Sequence, residues 1–516
     1  MNRKKTLSLL IALAMFVCAL PTVAFAEEAP MEISVAVWKA DETITTPEED
    51  AVLKQICDKL NITLKPINVT WDDYEQKIQV WAASDQLPDV FAIDAFGKPF
   101  YDTWVKEELV QPLPDDLSAY PSLNNLLSGA DYQAHKYSDG KLYCIPRPAY
   151  SMMKMFANEK ALLIRKDWME ALGYNNAPQS FEEMKTMLDD MMKNNPEQKP
   201  GVVGATSFDY SFILWFMSSY NSLTTAGSNP WVRFDGKWRP SIFDENTKEG
   251  VVKMGELWDA GLIDRDVPAI KEDDGADKFA SGRAVAYAYG GYPSALRIVE
   301  EKFKITYPDK DFSELVTIVK PWPNEEGVHY YSERVTPWSE SYINAKADEA
   351  KRDKILQLFD YLLSDEGLRL LRYGIEGVDY EMDGDQFKLL LGPDEVLSKK
   401  YPFLDEGACY LASWDQDFDY ESPQFSPYIH DLSNEILNWH WEGTGDSVFQ
   451  DFRTDFIIPP LASTKQVILT DDIMIAMTAE DTAATWDQIL EDHLNSGYDK
   501  VIEQFNEMAI EQGVLP

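Results

Sequence analysis

The sequence is short of cysteine, histidine and positive charge. It holds 4 Cys and 5 His in 516 residues. Cys18 lies in an N-terminal apolar segment. The remaining cysteines, Cys57, Cys144 and Cys409, are too few and odd in number for a disulfide framework. Cys57 falls on the apolar face of a helical pattern and Cys144 in an apolar run, so both read as small core residues. The histidines are scattered and no Cys-x-x-Cys occurs, so no metal ligand and no cofactor is assigned. Lys and Arg total 47 against 88 Asp and Glu, a formal charge of −41. Such a balance excludes nucleic acid and anionic lipid as partners, because both need cations to meet phosphates. It also disfavours a polyanionic ligand, unless a local basic pocket exists.

Recognisable catalytic patterns are missing as well. There is no Gly-x-Ser-x-Gly elbow, no His-Glu-x-x-His and no phosphate-cradling glycine loop. Among 88 acidic residues a carboxylate pair can always be nominated as a glycosidase dyad, so that signal carries no weight. No catalytic residue is assigned. After the first 26 residues no stretch is long and apolar enough to cross a bilayer.

What is present begins with an export signal. Arg3, Lys4 and Lys5 precede an apolar run, Leu7 to Leu20, and Ala24-Phe25-Ala26 supplies small residues for a signal peptidase. Residues 1–26 are therefore expected to be removed, with cleavage before Glu27. Val17, rather than a small residue, precedes Cys18, which argues against lipid attachment there. Loss of the leader leaves 44 basic against 88 acidic residues, a charge of −44.

The chain then alternates strand and helix patterns. Glu32 to Trp38 alternates and is β-branched, as a strand should be. Thr46-Pro-Glu-Glu49 reads as a capping box opening a helix whose apolar face is Val52, Leu53, Ile56, Cys57 and Leu60. A second strand, Ile62 to Val69, leads to a helix from Trp71 through Trp81, and Leu87-Pro88-Asp89 feeds a buried strand ending at Asp94. This order predicts a parallel α/β sheet, with ligands beyond the carboxyl ends of its strands. Trp38 and Asp94 occupy such ends. Ser180-x-x-Glu183 is a second capping box, before Met184, Met187, Leu188 and Met191 on one face; these methionines read as core. Asp209 lies in an aromatic run, Ser207 to Tyr220. Tyr289 and Tyr292 end a strand pattern beside Gly290 and Gly291, where a bare backbone would admit a ligand.

The segment Gly140 to Gly173, GKLYCIPRPAYSMMKMFANEKALLIRKDWMEALG, is the pivot of the sequence. Pro146 and Pro148 bracket Arg147 and exclude a central strand or a helix interior, so the stretch reads as a stiff extended crossover between two apolar runs. With "LPD-V" at Leu87 to Val90, "LVQPL" at Leu109 to Leu113, "FASGRA" from Phe279 and LFDYLLSDEGLRLLRYGIEGVDYE from Leu358, it resembles the extracellular solute-binding proteins of ABC importers. These are two-lobed sugar binders similar in plan to maltose-binding protein, and the likeness is to the large oligosaccharide-binding branch. Ile457 to Leu461 and the final helices resemble that family's closing segment.

The resemblance implies a type II periplasmic-binding-protein-like α/β fold. Each lobe would be a mostly parallel sheet flanked by helices, joined by hinge crossovers. The N-lobe would comprise 27–146 plus 338–390 and the C-lobe 147–337 plus 391–516. It further implies an extracytoplasmic monomer that binds an oligosaccharide between its lobes and delivers it to the ABC permease subunits. Trp38, Asp94, Arg147, Asp209, Tyr289, Tyr292, Trp338 and Trp414 are the expected ligand contacts, aromatic rings for sugar faces and polar groups for hydroxyls. A peptide or other non-sugar solute on the same fold, or a secreted glycoside-active enzyme, are the alternatives. The branch often carries an EF-hand-like calcium loop where this chain has Asn194 to Ala205. The spaced carboxylates are missing here, so calcium is not expected.

Overall fold

The computed structural model describes residues 29–511 apart from 150–159, 222–230, 271–273, 324–326, 331–336, 443–468 and isolated positions or pairs between them. The expected leader and Ile457 to Leu461 lie outside the described residues. In chain order the strands are β1 (Met31–Ala36), β2 (Ile62–Pro66), β3 (Val90–Ile93), β4 (Ile145–Pro148), β5 (Ala161–Arg165), β6 (Val203–Ser207), β7 (Trp231–Phe234) and β8 (Lys237–Pro240). They continue with β9 (Ala284–Tyr289), β10 (Val316–Val319), β11 (Pro337–Ile343), β12 (Tyr380–Asp383) and β13 (Gln386–Leu389). Two sheets carry the fold, in the orders β2-β1-β3-β11-β4 and β10-β5-β9-β6, and two hairpins, β7-β8 and β12-β13, stand apart.

Each main sheet has one reversed strand. β1 is parallel to β2 and β3, whereas β11 is antiparallel to both β3 and β4. β6 is parallel to β9, whereas β5 is antiparallel to both β9 and β10. The reversed strand is in each case the first laid down after the chain has crossed from the other sheet. This is the expected two-lobed plan, with a mostly parallel sheet in each lobe. Proline marks the sheet borders. Pro66 is in edge strand β2, Pro146 and Pro148 are in edge strand β4, and Pro337 opens β11. Those are the positions at which a residue without an N–H can be tolerated.

Both sheets are buried on both faces. In β3, Val90 and Ala92 join one apolar cluster and Phe91 and Ile93 another; in β5, Leu162 and Ile164 oppose Ala161 and Leu163 in the same way. Helices cover these faces by the period of their sequences. The helix Phe181–Lys193 buries Phe181, Met184, Met187, Leu188 and Met191, as a 3.6-residue repeat requires. Ser180 accepts the Glu183 N–H at 3.3 Å and the Glu183 carboxylate accepts the Gln179 N–H at 2.9 Å. The three cysteines after residue 29 are buried and free.

Two expectations change. The helix Ala51–Leu60 is capped by Asp50, which accepts the Val52 and Leu53 N–H groups at 2.9 Å, and not by Thr46. Thr46 instead turns onto Glu49 at 3.0 Å. The second correction concerns lobe boundaries. Arg147 is still within β4 of the first sheet, and the return to the second lobe comes later than residue 391. Leu397, Tyr401, Phe403, Ala408, Leu411 and Ala412 pack into the first lobe's core. Their anchor is again Asp50, whose second oxygen accepts the Phe403 N–H at 2.7 Å. From Phe425, just ahead of the helix Pro427–Glu442, the described residues join the second lobe's clusters.

Candidate functional site

At the carboxyl end of β1 the chain leaves the sheet through Trp38, which still bridges to Val69 beyond β2. Lys39 follows with φ 56° and turns the chain into a short helix. Gly407 passes directly over this turn. A Cβ at Gly407, where φ is +136°, would lie 2.6 Å from the Trp38 carbonyl oxygen, so only glycine allows the approach. The approach delivers Tyr410 and Trp414 to the end of β1.

An aromatic pile results. Trp414 stacks on Trp38 with centroids 5.0 Å apart and an interplanar angle of 26°. Trp338, at the start of β11, lies 5.0 Å from Trp414 and 6.4 Å from Trp38. Trp71 meets Trp38 edge-on at 5.2 Å and Trp338 at 5.8 Å. Tyr74 and Tyr410 extend the pile, 5.8 Å from Trp38 and 4.7 Å from Trp414 respectively. Trp38 is the buried floor, 4% exposed, while Trp71 is 38% exposed; Trp338 and Trp414 are half-buried.

Arg147 props the pile from within the sheet. Its guanidinium carbon is 5.0 Å from the Trp38 ring and 5.1 Å from the Trp414 ring. Nη1 donates to the Tyr410 carbonyl at 2.8 Å and Nη2 to Ser339 Oγ at 2.6 Å. Nε is buried without a hydrogen-bond partner. Burial lowers the guanidinium pKa to about 10, against the pull of Glu340. Two residues along β11, Glu340 accepts the Ala95 and Phe96 N–H groups at 3.0 Å and the Tyr342 hydroxyl at 2.9 Å. Burial, with the charge of Asp94 adding to it, pushes the Glu340 carboxyl up to about 7. Asp94 itself follows β3, half-buried, 3.5 Å from the Lys98 ammonium.

The second lobe offers its own strand end. Tyr289, last residue of β9, meets Phe208 edge-to-face at 5.0 Å and lies 6.4 Å from Tyr292. Asp209 is exposed at φ 47°. Its carboxyl is held above the ordinary range by desolvation, as befits a group reached by solvent but surrounded by protein. Gly290 serves a different end from the one expected. A Cβ there would lie 2.3 Å from the Tyr292 ring, so the bare backbone makes room for that ring and not for a ligand.

Between the lobes lies a cavity of about 500 Å³. Lys39, Tyr410 and Trp414 line it from the first lobe, and the helix Pro293–Thr306 from the second.

The sequence model of the family described as bacterial extracellular solute-binding protein matches residues 51–371. The chain belongs to this family. The polygalacturonan/rhamnogalacturonan-binding protein YtcQ of Bacillus subtilis (strain 168) is 23% identical over 358 residues, 68% of this chain and 67% of that one. Among solved structures, alginate-binding protein AlgQ2 without calcium ion superposes with a TM-score of 0.72 at 15% identity, covering 94% of this chain and 99% of that one. An EF-hand mutant of the Streptococcus pneumoniae ABC-transporter substrate-binding protein FusA, in complex with fructo-nystose, gives 0.70 at 14% identity, covering 92% and 98%. At such identities the superpositions speak for the two-lobed fold.

In this solute-binding protein the nominated residues separate into two groups. Trp38, Arg147, Trp338 and Trp414 gather at the first lobe's strand ends, with Asp94 beside them; Tyr289, Tyr292 and Asp209 gather at the second lobe's. Trp38 and Arg147 are buried and underlie the half-buried rings of Trp338 and Trp414. Trp71, Tyr74 and Tyr410 went unnominated. Trp71 carried a readable signal: a tryptophan just past a strand end, at the same sheet edge as Trp38. Tyr410 carried none, since Gly407 brings it in from 370 residues away.

The loop Asn194 to Ala205, where calcium was not expected, engages its own charges. Glu197 accepts from Arg165 at 2.7 Å and from the Tyr307 hydroxyl at 2.6 Å, and lies 2.6 Å from the Lys199 ammonium. Asn195 closes the loop by accepting the Lys199 N–H at 2.7 Å. Among the described residues no cluster of three or more His, Cys, Asp or Glu is placed to hold a metal ion.

Proposed function

We propose that this protein is the extracytoplasmic receptor of an ABC importer, which closes its two lobes on an oligosaccharide and hands it to the permease subunits. The observation that carries the reading is the tryptophan pile at the first lobe's strand ends. Sugar rings present flat C–H faces, and half-buried indoles at a cleft edge are suited to stack on them. The names of the relatives support the same class: YtcQ is a binder of polygalacturonan and rhamnogalacturonan, and FusA a fructooligosaccharide transporter protein. Trp338, Trp414 and Trp71 form the first lobe's face of the site, and Tyr289, Tyr292 and Asp209 the second's, with Asp94 at its margin. Ligand contacts from both lobes favour the closed state. The mature chain starts at Glu27, acts as a monomer and leaves its sugar chemically unchanged.

A thermal-shift panel of oligosaccharides and peptides tests the reading. Stabilisation by one or more oligosaccharides, with the bound sugar recovered intact by mass spectrometry, is expected. Stabilisation by peptides alone, or turnover that survives mock-purification controls, would overturn it.

A further inference from the structure

The charge in the inter-lobe cavity runs against that of the whole chain. Overall, acidic residues outnumber basic ones by 88 to 47. The cavity wall reverses the ratio, with Lys39, Arg297, Lys302, Arg372 and Lys399 set against Glu301, Asp405 and Asp419. A surface with an overall negative field repels anions, and a concave basic patch within it focuses them. The volume, about 500 Å³, is that of a small-molecule site.

The basic groups are also arranged in a way that suits carboxylates. The guanidinium carbon of Arg297 lies 5.2 Å from the centre of the Phe425 ring and that of Arg372 lies 5.5 Å from the centre of the Phe418 ring. A neighbouring ring restricts a guanidinium and leaves its N–H groups to face the cavity, where they can make two-pronged contacts to a carboxylate. Glu301 already stands between the lobes as a carboxylate in such a place. It lies 4.0 Å from Arg297 on its own helix and 3.7 Å from Lys399 of the first lobe. Both separations exceed the ~2.7–2.9 Å of a well-formed charge-assisted hydrogen bond. The contact is loose, and it spans the two lobes. Trp414 and Tyr410 line the same cavity and supply aromatic surface.

We infer that the oligosaccharide is acidic: a uronic-acid-containing chain whose carboxylates are read by Arg297, Arg372 and Lys399 in this cavity, while its ring faces lie against Trp414 and Tyr410. The inference rests on the oligosaccharide reading above. A ligand carboxylate reaching both Arg297 and Lys399 would join the lobes where Glu301 now does so weakly, and binding would thereby drive closure.

Isothermal titration of the mature chain against tri- to hexagalacturonate, oligomannuronates, and neutral maltohexaose, xylohexaose and kestose is the test. The strongest binder is expected among the uronates. Its affinity should fall as NaCl is raised from about 50 to about 500 mM, because partly exposed charges are screened. Arg297→Gln or Lys399→Gln should weaken it about tenfold, and Glu301→Gln should strengthen it about threefold, since removing a competing carboxylate favours an incoming one. A neutral sugar as the best binder, insensitive to salt, would overturn the acidic assignment and leave the oligosaccharide reading standing. Binding by none of them, with a peptide panel positive, would overturn both.

Discussion

Among the described residues each lobe buries one arginine completely, and the two are treated in opposite ways. Arg165, at the end of β5, is closed in by charge. Asp167 accepts from Nε at 2.8 Å and from Nη2 at 2.7 Å, Glu197 from Nη2 at 2.7 Å, and the Tyr307 hydroxyl meets Nη1 at 3.1 Å. Burial works against its charge, but Asp167 and Glu197 prevail and its pKa is raised. Arg147, on β4, has a hydroxyl, a carbonyl and two indole faces for company, and one N–H unmet. Its pKa is lowered, by that burial. The first arrangement is architecture, complete in itself. The second leaves part of its cost standing, which folds tolerate chiefly where a site is being held in shape.

The sharpest way to break this contrast is to remove each arginine. Arg165→Met leaves two carboxylates without their buried counter-charge and should cost about 3–5 kcal/mol in a urea titration, with sugar affinity unchanged. Arg147→Met gives up hydrogen bonds to neutral partners and should cost about 2 kcal/mol, but should also loosen the tryptophan pile and weaken binding. Equal stability losses with equal affinities would dissolve the distinction.

Next in size is a contrast within the pile. Trp38 is 4% exposed and part of the first lobe's core. Trp38→Ala should therefore behave as a core truncation, at about 3–5 kcal/mol of stability. Half-buried Trp338 should behave as a platform. Its replacement by Ala should lose about 1–3 kcal/mol of sugar affinity at a near-normal melting temperature, on the scale of stacked aromatic platforms. The reverse pattern in calorimetry would move the ligand surface elsewhere.

Acid and base should act with opposite sign on the two lobes. Burial opposes Glu197's charge, yet hydrogen bonds from Lys199, Tyr307 and Arg165 hold its carboxyl at about 2, below its ordinary 4.5. That stabilisation is whole above pH 4.5 and is lost as pH falls toward 2. The Glu340 carboxyl titrates at about 7, above 4.5, so its contribution is whole below pH 4.5 and is lost as pH rises through 7. In denaturation series across this range, Glu197→Gln should flatten the acid limb and Glu340→Gln the limb from 4.5 to 7. Slopes of the same sign would contradict the contrast. The smallest effect expected is none: EDTA should leave the melting temperature unchanged, because Lys199 and Arg165 already neutralise the one carboxylate in the calcium-like loop.

How much of this was legible depends on range. β1, β3, the Ser180 capping box and the methionine face could be read because neighbours within a few residues decide them. The prolines around Arg147 excluded a central strand, and β4 is indeed an edge strand, but the stretch read as a crossover is that strand itself. The hairpins β7-β8 and β12-β13 went unread although each carries a turn-forming dipeptide between its strands, Asp235-Gly236 in the first and Gly384-Asp385 in the second. The stretch 397–412 was assigned to the wrong lobe because its course is fixed by Asp50 and Thr43, more than 350 residues away. No local period marks it; it is made of short turns around Gly407. The pile was half-read for the same reason. Strand-end logic finds Trp38 and Asp94, while Tyr410 and Trp414 arrive through contacts no local pattern records.

The register of β11 against β4 slips between Pro337 and Glu340. Such a slip bends its strand and increases the local twist. It falls at Trp338, the residue by which the chain re-enters the first lobe. Beyond the slip the strand is clamped, with Glu340 tied to Ala95 and Phe96 and the Ser341 hydroxyl donating to the Leu411 carbonyl at 2.7 Å. Torque from a rotating second lobe would thus be taken up at an indole wedged among other indoles. The emission that Trp338→Phe removes is therefore expected to change when ligand is added, a label-free measure of the angle of the joint.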